Sequence, residues 1–225
     1  MTFSLIGRCE KTNMVGVVIS SSSISVASRC PWVRAGVGAA STQNVTDPSL
    51  GNLMLDYLEK GFEVTEVINK IVKEEKNIEY RQLLLIDNKG NTSQHTGSKI
   101  LGISGLEKRS NCIAAGNMLK SEMVPKAMVD NFINNPNVHL AERLLLALKA
   151  GLEEGGEEGP VHSAGIKVAD NTIWPLVDLR IDWLESKPIE ELYTLWKVFE
   201  PQMKDYKSRA LNPSEAPSYG VLGNL

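Results

Sequence analysis

Two short runs, Val15-Gly16-Val17-Val18-Ile19 and Leu83-Leu84-Leu85-Ile86, carry no polar side chain at any position. A strand of that kind is covered on both faces, whereas a strand with one wet face alternates polar and apolar residues. Something must therefore lie above and below each of them, and the rest of the chain offers helices for the outer cover. Asp47-Pro48 opens one helix as N-cap and first-turn proline, and Leu50, Leu53, Met54, Tyr57 and Leu58 then recur at helical spacing up to Gly61. Val64, Val67, Ile68, Ile71 and Val72 repeat the stripe in a second helix. Ser121 opens a third, burying Val124, Ala127, Met128 and Phe132, and a fourth runs from His139 to Leu152 with Leu140, Leu144, Ala147 and Leu148 inward. A last helix covers Ile189 to Phe199.

The strands fall between these helices. Met1 to Ile6 alternates, Phe3 and Leu5 to one side and Ser4 and Ile6 to the other, and Met14 to Ser20 is its antiparallel partner. Ser20 to Ser23 is a serine run that fits a flexible loop and a closely approached backbone equally well. Ile24 to Ala27 and Val33 to Ala40 read as short strands, and Ser41 to Thr46 as a polar connection. Gln82 to Asp87 pairs with Asn91 to Thr96 across Asn88-Lys89-Gly90, and Asn111 to Ala115 is a shorter strand broken by Gly116-Asn117. Gly155 to Pro160 reads as a solvated loop, and Ser163 to Val168 with Ile173 to Ile181 as a hairpin. Strands and helices do not alternate singly, which excludes a parallel βαβ protein. The expected fold is α+β, a four-layer αββα sandwich of two mainly antiparallel sheets, in one domain over residues 1–200 with a C-terminal tail over 201–225.

Composition narrows the partners. A formal charge of −3 gives no basic footprint, so nucleic acid is not an expected partner. No run approaches the roughly 20 apolar residues of a membrane helix. Arg8, Glu10 and Lys11 stand where a signal peptide needs its apolar core, so no membrane association and a cytoplasmic location are expected. Cys9, Cys30 and Cys112 are odd in number and far apart, and His95, His139 and His162 lack ligand spacing; neither metal nor cofactor is expected.

The chemistry points to Thr2. Behind an initiator methionine that a small second residue allows to be removed, it would present a hydroxyl and a free α-amine on one residue. An α-amine titrating at about 7.7–8.0 can take the hydroxyl proton near neutral pH.

Four segments make a resemblance specific: Thr2-Phe3-Ser4-Leu5-Ile6, Pro31-Trp32-Val33-Arg34-Ala35-Gly36-Val37-Gly38-Ala39, Thr42-Gln43-Asn44-Val45-Thr46-Asp47-Pro48 and Asp178-Leu179-Arg180-Ile181-Asp182. They resemble the DUF1028 family, up to about residue 183. That family in turn resembles the N-terminal nucleophile (Ntn) hydrolases, αββα sandwiches whose first residue attacks an amide carbonyl. The resemblance implies a small-molecule amidohydrolase with Thr2 as nucleophile, and a homo-oligomer. The alternative is a catalytically inactive binding or assembly protein on the same fold.

Asn117, in the family-like context Ala115-Gly116-Asn117-Met118-Leu119, is the first candidate to stabilise the oxyanion, with Gln43 and Asn44 as substrate contacts. Similar sequences carry Lys near Ser22; here Arg29 and Arg34 are the nearby cations, able to hold an acidic substrate. Asp178 and Arg180 are read as a structural pair, and His162 is given no catalytic work.

Overall fold

The computed structural model describes residues 1–220. Among these residues ten strands form two antiparallel sheets. The larger contains β1 (Thr2–Arg8), β2 (Val15–Ser21), β7 (Gly105–Arg109), β8 (Cys112–Asn117), β9 (Ser163–Ala169) and β10 (Val177–Ile181), in the order β10-β9-β2-β1-β8-β7. The smaller is β3 (Pro31–Arg34), β4 (Gly38–Asn44), β5 (Arg81–Asp87) and β6 (Thr92–Thr96), in chain order. Helices α1 (Ser49–Glu59) and α2 (Val64–Glu74) cover the small sheet, while α3 (Val124–Asn134), α4 (Leu140–Glu153) and α5 (Pro188–Phe199) cover the large one. The result is the four-layer αββα sandwich. No helix among the described residues is long and apolar enough to cross a membrane.

The period-2 pattern of each strand decides which layer its side chains join. Phe3 and Leu5 pack under α3 and α4, whereas Ile6 meets Val15, Val17, Ala39, Leu84, Ile86, Ile113 and Ala115 between the sheets. Leu83 and Leu85 face α1 and α2. The inter-sheet layer is thus apolar over one end of the strands. At the other end the same parity brings up polar residues, as described below.

Several expected elements take a different form. Val33 to Ala40 is a hairpin instead of one strand, turned at Gly36 with φ 72°. β4 continues through the polar string as far as Asn44, because Ser41 and Gln43 find buried partners on the inner face. Ile24 to Ala27 is no strand, and a 3₁₀ turn occupies Val26–Ser28. β8 runs through Gly116 and Asn117, both of which pair with β1. β7 was not expected; its charged Glu107, Lys108 and Arg109 suit an edge strand. β10 begins only at Val177, leaving Ile173 and Trp174 exposed in the preceding loop. Past residue 200 the chain forms α6 (Met203–Leu211), whose Met203 joins the core under α5 and whose Lys207 pairs with Asp170. Residues 221–225 of the expected tail lie outside the described residues.

Gly38 shows how tightly β4 and β5 are pressed together. A Cβ there would lie 2.2 Å from the backbone oxygen of Ile86. The oxygen belongs to the paired strand and cannot swing aside. Gly38→Ala is expected to destabilise the fold by about 3 kcal/mol, read as a lower denaturant midpoint at unchanged slope.

Candidate active site

At the polar end of the inter-sheet layer, Ser4, Gln43, Gln82 and Asn117 are all fully buried. Gln43 joins the sheets: its Oε1 accepts from Ser4 Oγ at 2.8 Å, and its Nε2 donates to Gln82 Oε1 at 2.7 Å. Asn117 Nδ2 donates to the same Gln82 oxygen at 3.2 Å, and Gln82 Nε2 donates to the Gly116 carbonyl at 3.2 Å. One polar atom is left over. Asn117 Oδ1 is buried without a partner, a state that costs about 1–3 kcal/mol if nothing compensates it.

Thr2 stands beside this network. It opposes Asn117 across the β1–β8 ladder and Ser21 across the β1–β2 ladder, and only 6% of its surface is exposed. Its Oγ1 donates to the Met1 carbonyl at 2.5 Å and lies 3.3 Å from Ser21 Oγ. Ser21 Oγ also donates to the Met1 carbonyl, at 2.6 Å, and sits 2.8 Å from Ser23 Oγ. Arg29 ends the series, its Nη2 donating to Ser23 Oγ at 2.6 Å and its Nη1 to the carbonyls of Ile24 and Ser25. A row of hydroxyls therefore links Thr2 to a guanidinium. Arg29 holds the serine loop.

The loop expected to be solvated supplies the other wall. Glu157 pairs with Leu119 in an isolated bridge, Lys120 donates its N–H to the Gly156 carbonyl, and Glu158 donates its own to Met118. The loop is pinned against the end of β8, so its acidity is not only surface chemistry. Glu158 is exposed, but Glu157 is 2% exposed and neither of its carboxylate oxygens forms a hydrogen bond. Burial pushes its carboxyl up to about 8, with the positive amino terminus pulling partly the other way. Glu157 and Gly159 also line a cleft of about 310 Å³, shared with Lys120, Val161 and Ile189.

Of the residues singled out from the sequence, Thr2, Asn117, Gln43 and Arg29 converge here. Gln43 is fully buried behind Asn117 and braces the network, a different position from that of a substrate contact. Asn44 adopts φ 72° and ties loops together, donating to the Tyr80 carbonyl and accepting from Leu101 N–H. Arg34 is at the far end of the β3–β4 hairpin, paired with Asp56 and Glu59 of α1. Asp178 and Arg180 make exposed ion pairs with Lys167 and Asp182, and His162 stacks on Trp183. Sequence reasoning missed Ser21, Gln82 and Glu157. Gln82 could have been found by parity, two residues before Leu84 on the same face.

In architecture this is an αββα sandwich with a hydroxyl residue at the start of a central strand of the larger sheet. The family model of DUF1028, described as a family of unknown function, matches residues 2–192, and the chain belongs to that family. Among solved structures it is similar to a protein of Silicibacter pomeroyi assigned to DUF1028, at 28% identity and a TM-score of 0.81, over 88% of each chain. Anbu (ancestral beta-subunit) from Yersinia bercovieri matches at 12% identity and a TM-score of 0.36, over 90% of this chain and 96% of that one. A Gly-1 mutant of Anbu from Hyphomicrobium sp. strain MC1 matches at 12% and 0.43, over 98% and 100%. No curated protein matches the chain.

Proposed function

We propose that the protein is an Ntn-type amidohydrolase of small molecules, with Thr2 as nucleophile once Met1 has been removed. One observation carries the reading: the Thr2 hydroxyl sits at the polar end of the inter-sheet layer beside Asn117 and Ser21, with the Met1 carbonyl in hydrogen-bond contact. In this reading the freed Thr2 amine takes the proton of Oγ1, and the oxygen attacks the amide carbon. The C–N bond breaks as the amine returns the proton to the leaving nitrogen. Water then hydrolyses the ester on Oγ1.

Asn117 uses one of its two amide protons on Gln82, and the other is available to the oxyanion. Asn117→Ala is expected to lower kcat by about 100-fold, with a smaller change in KM. Asn44 and Arg34 are given no part. The working form is taken to be a homo-oligomer, an expectation that rests on the family resemblance alone.

The second reading, an inactive binding or assembly protein, is favoured by how well Met1 fits. Its carbonyl accepts two hydroxyl hydrogen bonds and its sulfur one from a backbone N–H. The intact mass of protein purified from its native cells decides between them. Mass without Met1 supports the hydrolase and justifies screening amides, ureides and cyclic imides; retained Met1 removes the proposed base.

A further inference from the structure

Met1 is held as a ligand would be. Its carbonyl oxygen accepts from Ser21 Oγ at 2.6 Å and from Thr2 Oγ1 at 2.5 Å. Its sulfur accepts from the backbone N–H of Gly159 at 3.1 Å, so the tip of the unbranched side chain lies in a slot against Gly159. The slot exists because residue 159 is glycine: a Cβ there would lie 2.7 Å from Met1 Cε and 3.0 Å from its sulfur. On the same loop Glu157 is 98% buried by its 2% exposure, has no hydrogen bond to either carboxylate oxygen, and feels the charge of the Met1 amino group. Carbonyl and side chain of this residue each meet a partner on this surface, and an unpaired buried carboxylate stands on the loop that holds it.

We propose that the space Met1 fills is the acyl subsite, and that in the processed protein it takes an α-aminoacyl group with a free amine and an unbranched side chain. The proposal rests on the Thr2 reading given above. In the acyl intermediate the group hangs from Thr2 Oγ1 instead of from the nitrogen of the same residue, so it stays against the same wall. Glu157 supplies the selection for an amine. A buried carboxyl without a partner is costly, and an arriving ammonium relieves that cost where an acylated nitrogen does not. Gly159 supplies the selection for shape. Before processing, Met1 is its own occupant and keeps the subsite closed.

The test uses Thr2→Ala protein shown by mass to lack Met1, which binds without turning over, and L-methioninamide as probe in titration calorimetry. L-Methioninamide should bind at least tenfold more tightly than N-acetyl-L-methioninamide. Glu157→Gln and Gly159→Ala should each weaken it by about tenfold, a difference of about 1.4 kcal/mol. Protein made with methionine aminopeptidase inhibited, which retains Met1, should not bind it. Equal binding of the two amides, no binding of L-methioninamide at millimolar concentration, or binding to Met1-retaining protein overturns the proposal without reliance on either loop variant.

The two readings fail separately. If L-methioninamide binds but wild-type protein hydrolyses no amide, the subsite stands and the nucleophile falls. If other amides are hydrolysed while L-methioninamide is neither bound nor cleaved, the subsite falls and Thr2 stands.

Discussion

Thr2→Ala protein lacking Met1 should lose at least about 10³-fold in kcat/KM on any amide that the wild type hydrolyses, roughly 4 kcal/mol of transition-state stabilisation. Thr2→Ser should stay within about tenfold of wild type, because the hydroxyl and the amine remain on one residue. The pair of variants separates chemistry from folding. With Met1 gone, alanine removes only the contact of Oγ1 with Ser21, while the backbone ladders to β2 and β8 that hold residue 2 persist. The measurement is product release by both variants, with intact mass confirming the same first residue in each. Equal rates for wild type and Thr2→Ala would remove Thr2 from the chemistry.

The second large effect is on stability. The Glu157 carboxyl titrates near 8 in the folded protein and near the ordinary glutamate value of about 4.3 when unfolded. Between those values the folded chain keeps a proton that the unfolded chain has released. Stability therefore falls as pH rises from about 4.5 to 8 and levels off above, by an amount on the order of 5 kcal/mol. His139, whose burial holds its imidazole below the ordinary value, acts in the opposite sense, costing stability as pH falls toward and below 6.5. Glu142, Asp170 and Asp182, held low by hydrogen bonds and cations, add losses only in acid. The comparison with Glu157→Gln isolates the carboxyl: the glutamine variant should gain on wild type steadily from pH 5 to pH 8 in denaturant midpoint. Parallel curves would mean that Glu157 does not hold its proton.

Much of the fold was legible because burial on both faces leaves a plain record in the sequence. Leu83 to Ile86 demanded two covering layers and has them, and the stripes of α1, α2 and α4 became helix faces. β4 failed to show over its second half because its inner face there is polar, and β7 because it is a charged edge strand. Ser41 and Gln43 looked like a loop because their partners, Ser4 and Gln82, lie on strands distant in sequence. For the site, alternation placed Thr2 and Ser4 on the side of β1 opposite Phe3. Nothing local separated Glu157 from Glu158, since which of two neighbouring carboxylates is buried depends on the bridge to Leu119. Arg34 misled for a related reason. Nearness along the chain put it with Arg29, but the hairpin turn carries it toward Asp56 and Glu59.

β1 has neighbours on both sides, β2 from the next few residues and β8 from more than a hundred residues later. On the ribosome, at about 5–20 residues per second, the first strand waits on the order of 10 s for the second of them. During that interval one edge of β1 is open and its tip is free of the 155–160 loop, which has yet to be made. If Met1 is the first residue made, an aminopeptidase working on nascent chains meets it accessible, whereas one meeting the finished protein finds it gripped. A fusion partner joined ahead of residue 1 would have to leave through that same grip, so an affinity tag belongs at the other terminus.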